Sequence, residues 1–184
     1  MIRHFPVYMC INLCKEKSEI AAVHAQHLTG DKRRAVAKQE RAGMVLITFE
    51  KKINDKHLDV DVDFPEHPVC TIANRDYITQ VIYNLLDNAV KFCPEGGSLG
   101  LRIREGGSKA YISVTNQGQT IPPEELSLLF DRFHKLDKSR SQNRDGWGLG
   151  LYIVKTIVCS HGENISVTSR DGTTAFTFTM PLAN

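Results

Sequence analysis

Residues 83–92, reading Y-N-L-L-D-N-A-V-K-F, constrain this chain more than any other stretch. Asn84 and Asn88 stand four apart, so on a helix they share one face and lie one above the other. Val81, Ile82, Leu85, Leu86 and Ala89 give another face an apolar stripe for a core. Asparagine is a middling helix former that favours caps and turns, so two of them inside an apolar helix need a reason. One reason is a solvated or internally hydrogen-bonded polar pair; the other is a pair of amides aimed at a ligand.

Far downstream stands Gly146-Trp147-Gly148-Leu149-Gly150-Leu151, followed by an apolar, helix-like run over residues 152–158. Glycines every second residue before a helix leave backbone N–H groups bare and the positive end of the helix open, an arrangement that favours phosphate. Alone, a glycine cluster is a weak signal. Here it closes an ordered set: N-x-x-x-N at Asn84 and Asn88, N-x-G-x-x-I from Asn116 through Gly118 to Ile121, F-x-x-F at Phe130 and Phe133, then G-x-G-L-G-L. That set resembles the ATP-binding catalytic domain of sensor histidine kinases. Its superfamily (GHKL, with the Bergerat fold) also holds type II topoisomerase, Hsp90 and MutL ATPases. The resemblance runs from about residue 42 to the end. It implies two units: residues 1–41 as a poorly legible N-terminal segment, a helical remnant or leader, and residues 42–184 as the ATP-binding domain.

Length and charge agree with one domain and little else. A chain of 184 residues, 41% hydrophobic and 24% charged, can bury a real core. Its 23 Lys and Arg against 21 Asp and Glu leave a formal +2, too balanced to argue for nucleic acid or an anionic membrane. The apolar stretch at residues 5–13 is interrupted by Pro6 and Asn12 and falls far short of the ~20 residues a spanning helix needs; it has no small-residue cleavage site. Five cysteines without a C-x-x-C pair read as reduced thiols in a cytosol. Cys10, Cys14, His24 and His27 fit no standard zinc spacing.

In chain order, residues 15–27 and 32–41 suggest two short helices. The resemblance implies a dimerising hairpin carrying a phosphorylated histidine in this region, but His24 precedes Ala25, His27 precedes Leu28, and no proline follows at the family's spacing. No phosphoacceptor is recognisable, and the segment reads better as a remnant or leader. Residues 45–53 mix helical and strand character. Residues 58–64 alternate apolar and acidic side chains as a half-buried strand. Its three aspartates suit a solubilising sheet edge better than a metal site. Residues 69–72 form a second strand, and Asn74 can cap the asparagine helix. Residues 98–104 and 109–114 predict a hairpin; Pro122-Pro123-Glu124-Glu125 opens a helix running to Phe133. Residues 134–145 have no apolar period and read as a mobile lid. A helix over 149–160, ended by His161-Gly162, and strands over 164–169 and 174–180 complete the pattern. The expected fold is a two-layer α/β sandwich, a mixed, mostly antiparallel sheet with helices on one face.

The resemblance implies an ATP and Mg²⁺ site. Asn88 becomes the single protein ligand to the metal, which a neutral amide oxygen can be when phosphates and water supply the rest. Asn84, Lys91, Arg132 and Lys135 stand around the phosphates, with Gly146, Gly148, Leu149, Gly150 and Leu151 as the phosphate loop; surface solvation is the alternative for the three cations. Asn116, with Gly118 and Ile121, takes the base, where the family usually has an aspartate; an amide can accept from the adenine amino group and donate to ring nitrogen. Thr120 replaces a usual glycine, and threonine disfavours positive φ, which puts the local backbone geometry in doubt; the box reads as altered but functional. Where the ATP-hydrolysing branches carry a glutamate, Asn84 cannot act as a base. The implied activity is transfer of the γ-phosphoryl to a histidine of a dimerisation domain and on to a response regulator. The setting is a bacterial two-component phosphorelay, in the cytoplasmic part of a membrane sensor. The alternatives are a non-catalytic nucleotide-binding or interaction module and an anti-sigma-type serine kinase, which the F-x-x-F box and basic lid disfavour.

Overall fold

A computed structural model describes residues 8–11, 45, 48–67, 69–134 and 148–183. The two expected N-terminal helices, Cys14, His24 and His27 of the zinc reading, most of the lid, Lys135 and Gly146 lie outside the described residues.

The sheet follows from alternation. Strands β2 (Asp59–Asp63), β4 (Ser98–Gly106), β5 (Lys109–Gln117), β6 (Ile165–Arg170) and β7 (Thr173–Pro181) form one mixed sheet in the order β2-β4-β5-β7-β6. Only β2 and β4 run parallel; the other pairs are antiparallel. Inward-facing Leu99, Leu101, Ile103, Ile112, Val114, Phe176, Phe178 and Met180 are buried, while Arg102, Tyr111, Ser166 and Thr168 on the opposite face are exposed. Each such burial stabilises by roughly 1.5–3 kcal/mol. A separate two-stranded piece pairs β1 (Tyr8–Ile11) with β3 (Val69–Ile72). Cys70 is disulfide-bonded, which corrects the reading of every cysteine as a reduced thiol.

Both hairpin loops are two residues long and use left-handed backbone. Gly107 (φ 62) turns β4 into β5, and Asp171 (φ 50) with Gly172 (φ 73) turns β6 into β7. The aspartate strand β2 is a sheet edge, as expected, and Asp63 pairs with Arg102 and Arg104 of β4.

The helices cover the apolar face of the sheet. Residues 48–55 are helical (α1), settling the ambiguous stretch before β2. Helix α2 (Arg75–Phe92) carries the asparagines and buries Ile78, Val81, Ile82, Leu85, Leu86, Ala89 and Val90. The predicted helix through Phe133 is broken. Helix α3 (Pro123–Leu126) stops at Ser127, and a 3-10 turn (Leu128–Phe130) follows. The break lets Phe130 enter the core edge-on to Phe176 at 6.2 Å, and Phe133 turns into left-handed backbone (φ 63). Helix α4 (Gly150–Ser160) packs beside α2. The backbone N–H of Asn74 donates to His161 Nε2 at 3.1 Å, joining the start of α2 to the end of α4. No helix among the described residues is long and apolar enough to cross a membrane.

Candidate nucleotide site

Helix α2 is fixed at both ends. The Asn74 side chain accepts from the N–H groups of Asp76 and Tyr77 at 3.0 and 3.2 Å, the expected cap. At the other end Cys93 caps in an extended conformation, and the Lys56 ammonium donates to the carbonyls of Val90, Lys91 and Cys93 at 2.8, 3.0 and 2.8 Å. Burial pushes the Cys93 thiol up, partly offset by a backbone hydrogen bond at Gln117 and by the Lys56 charge. Between these anchors Asn84 and Asn88 are half-buried, away from the core stripe. Asn84 Nδ2 reaches the Gly150 carbonyl at 3.5 Å, so the asparagine helix and the glycine box meet. Lys91 Nζ lies 5.6 Å from the Phe92 ring centroid.

The end of β5 forms the second wall. Asn116, 5% exposed, sits between Leu99 of β4 and Thr174 of β7, and its Nδ2 donates to the Gln117 carbonyl at 3.0 Å. At Gly118 a Cβ would stand 3.1 Å from the Phe92 carbonyl oxygen and 3.4 Å from Asn116 Nδ2, so glycine is there for close approach. The doubt about Thr120 is corrected. Among the described residues only His57, Phe133 and Asp171 are non-glycine residues with positive φ, and the Thr120 hydroxyl accepts from Gly172 N–H at 2.9 Å. Gly118 N–H donates to the Gly172 carbonyl at 2.8 Å, and Ile121 N–H to Ser169 Oγ at 2.9 Å. The β6–β7 turn therefore supports this corner.

The third wall is the base of the expected lid. Phe133 N–H donates to the Gly148 carbonyl at 3.1 Å. Gly148 has φ 67, and a Cβ there would lie 3.0 Å from the His134 carbonyl oxygen, so only glycine fits this clasp. Phe130 is buried at the base, whereas Phe133 is 65% exposed and contributes through its backbone. Arg132 donates to the Tyr152 hydroxyl at 2.6 Å and stacks on that ring at 4.4 Å. Leu149 precedes α4 without a side-chain cap, so the first-turn N–H groups of Gly150, Leu151 and Tyr152 are not capped by a side chain. Leu151 itself is half-buried against the core.

The structure thus brings Asn84, Gly148, Leu149, Gly150 and Leu151 together and places Asn116, Gly118 and Ile121 on the neighbouring corner. It engages Arg132 with an aromatic partner. Four contributors carry no motif: Lys56, Thr120 through its hydroxyl, Ser169 and Tyr152. Thr120 stands out in the sequence only as the replacement of a family glycine, and the Asp171-Gly172 turn pair places Ser169 and Gly172 beside the corner.

Residues 73–184, more than half the chain, match the family of histidine kinase-, DNA gyrase B- and HSP90-like ATPases. The chain belongs to this family. Among curated relatives, the sensor histidine kinase WalK of Bacillus subtilis (strain 168) is 37% identical over 141 residues, covering 75% of this chain and 23% of WalK. The sensor histidine kinase CusS of Escherichia coli (strain K12) is 33% identical over 142 residues, covering 77% of this chain and 29% of CusS. The catalytic domain of histidine kinase ThkA, in a nucleotide-free form, superposes with TM-score 0.69 at 29% identity, covering 77% of this chain and 90% of that one. ThkA in complex with the response regulator protein TrrA gives TM-score 0.67 at 28% identity, covering 78% of this chain and 40% of that one. The chain spans only about a quarter to a third of the curated relatives it matches (23–33%). Within the family it is an ATP-binding catalytic domain of the sensor-histidine-kinase type.

The residues fit such a ligand. Gly118 lets the corner that carries Asn116 pack closely on the Phe92 carbonyl at the end of α2. The uncapped start of α4, an 11-residue helix, suits phosphate. Among the described residues no cluster of three or more His, Cys, Asp or Glu could hold a metal ion. An amide such as Asn88 is a donor suited to Mg²⁺, which keeps its waters and takes phosphate oxygens.

Proposed function

We propose that this chain is the phosphoryl-donor part of a two-component sensor kinase. It holds Mg-ATP between α2, the corner from Asn116 to Ile121 and the start of α4. It delivers the γ-phosphoryl to a histidine imidazole on a helical dimerisation segment, from which the group passes to an aspartate of a response regulator. The bond from γ-phosphorus to the β–γ bridging oxygen breaks, a phosphorus–nitrogen bond forms, and ADP leaves. Asn116 accepts from the adenine amino group through Oδ1. The N–H groups at Gly148, Gly150 and Leu151, with Gly146, face the phosphates; Lys91, Arg132 and Lys135 offset their charge. Mg²⁺ held by Asn88 would neutralise and align the phosphate oxygens. The domain works on the cytoplasmic side of a sensor.

The observation that carries this reading is the meeting of Asn84 with Gly150. An amide, which cannot take a proton from water, stands beside the phosphate loop, so this site favours positioning for transfer over hydrolysis. Calorimetric titration with ADP and ATP, with and without Mg²⁺, is expected to give binding of about −6 to −8 kcal/mol. With a helical hairpin carrying a His-Glu acceptor supplied in trans, label from γ-labelled ATP is expected on the hairpin and to be acid-labile. Absence of binding refutes the proposal. Binding without transfer to the cognate hairpin leaves a nucleotide-binding module instead.

A further inference from the structure

We propose that Lys56, which belongs to none of the nucleotide motifs, is a positioning residue that holds the base-binding corner in shape from outside the site. The proposal rests on the nucleotide reading above for its ligand, though not for its geometry.

The C-terminus of an α-helix leaves its last carbonyls without partners and carries the negative end of the dipole. Many helices solve this with a left-handed glycine. Helix α2 has no glycine there, and its cap residue Cys93 is extended (φ −68, ψ 131). Lys56 supplies the missing donors. An ammonium has three N–H groups, and three carbonyls of this one helix end, those of Val90, Lys91 and Cys93, lie within 3.0 Å of Nζ. The Lys56 backbone is held too: its carbonyl accepts from Gly96 N–H at 2.8 Å, and His57 takes left-handed backbone (φ 52) immediately after it.

The clamped turn is one wall of the base corner. Phe92, between the clamped carbonyls of Lys91 and Cys93, presents the carbonyl oxygen that would lie 3.1 Å from a Cβ at Gly118. Cys93 Sγ donates to the Ser98 carbonyl at 3.3 Å, and Ser98 N–H donates to Gln117 Oε1 at 3.3 Å, so the same turn is tied to the residue between Asn116 and Gly118. With the ammonium removed, three carbonyls must turn toward water, and the wall they belong to moves relative to Gly118. Because Lys56 follows directly on α1, this side chain couples α1 to the base corner, beside the Gly96–Lys56 backbone bond and the Lys52–Asp87 ion pair.

The test compares Lys56→Met with Lys109→Met, which breaks an ion pair at the opposite end of β5 and so lowers stability without approaching the corner. Two readouts are taken: the ADP dissociation constant by calorimetry and the exchange rate of the Gly118 amide in ligand-free protein. Lys56→Met is expected to weaken ADP by about tenfold, the scale of lost hydrogen bonds to a charged group, and to speed Gly118 exchange. Lys109→Met is expected to leave ADP binding within about twofold. Lys56→Gln, which keeps an amide donor, should fall between wild type and Lys56→Met on both readouts, and it carries the test if Lys56→Met does not fold. Unchanged ADP binding and unchanged Gly118 exchange in the Lys56 variants overturn the proposal. So does an equal response of both readouts in Lys109→Met, which would make Lys56 a general stabiliser. If wild type itself does not bind ADP, the nucleotide reading fails, and Gly118 exchange alone decides the positioning role.

Discussion

Replacing Lys109 by methionine is expected to reverse the sign of one contribution to the pH dependence of stability. Glu163 follows α4 and is only 7% exposed. Burial pushes its carboxyl up, but hydrogen bonds from Lys109 (2.8 Å) and from Thr179, with the Lys109 charge, outweigh that and hold it below the ordinary carboxylate range. In wild type the Glu163 contribution is therefore fully present above the unfolded value of about 4.3 and is lost as pH falls through the lower folded value. In Lys109→Met burial faces only the Thr179 bond, the folded value moves above the unfolded one, and stability is lost as pH rises through it. Breaking one side of a buried pair costs roughly 3–5 kcal/mol. Lys109 is 39% exposed, so solvent screening reduces this to about 2–3 kcal/mol near neutrality, or a Tm drop of about 5–10 °C. Urea unfolding from pH 3.5 to 7 of wild type and Lys109→Met, each against its Glu163→Gln counterpart, isolates this group from other acids such as Asp63. Slopes of the same sign in the two differences would refute the reasoning.

The hydrogen bond from Arg132, above all, holds the Tyr152 phenol below its ordinary range; Arg132→Met should raise its titration toward about 10, read by ultraviolet absorbance. Gly118→Ala places a Cβ 3.1 Å from the Phe92 carbonyl oxygen, so it should cost about 1–2 kcal/mol of stability and weaken ADP, as thermal unfolding and calorimetry would show. Thr120→Gly should destabilise by about 0.5–1 kcal/mol, because it deletes the acceptor for Gly172 N–H and frees the unfolded chain; a gain in stability would contradict the observed geometry.

Where burial alternates with period two or 3.6, the sequence announced the element. Strand β3 and the end of α4 at His161 fall where the pattern put them. Strand β5 runs three residues beyond its apolar alternation, to Gln117, because Asn116 pairs across to Thr174 and both are buried as polar residues inside the ladder. The break at Ser127 was invisible because the residues through Phe133 all tolerate helix; the packing of Phe130 on Phe176 and the clasp at Gly148 decide it, and both partners are remote in sequence. The motif residues were legible because their chemistry dictates their type. Lys56, Ser169 and Tyr152 were not, since each acts through a contact spanning many residues and any of the three is ordinary on a surface. At Thr120 a family glycine raises the question of positive φ, and the structure answers it with ordinary backbone and a hydroxyl that accepts from Gly172.

The order in which the sheet closes bears on when the site exists at all. Strands β4 and β5 and strands β6 and β7 join over two-residue turns and can pair locally, but β5 must find β7 across the residues between Gln117 and Thr173. Asn84, Asn116 and Gly118 belong to the first half and Gly148, Gly150 and Gly172 to the second, and the Gly118–Gly172 and Asn84–Gly150 bonds cross that joint. A nucleotide bound there would bridge the slowest-formed seam. It would bind neither half alone, and at a hundredfold excess over its dissociation constant it would add about 2.7 kcal/mol to the cohesion of the whole domain. Ligand occupancy and survival of the fold are then linked, since an opening along the line between β5 and β7 would also part the two halves of the site.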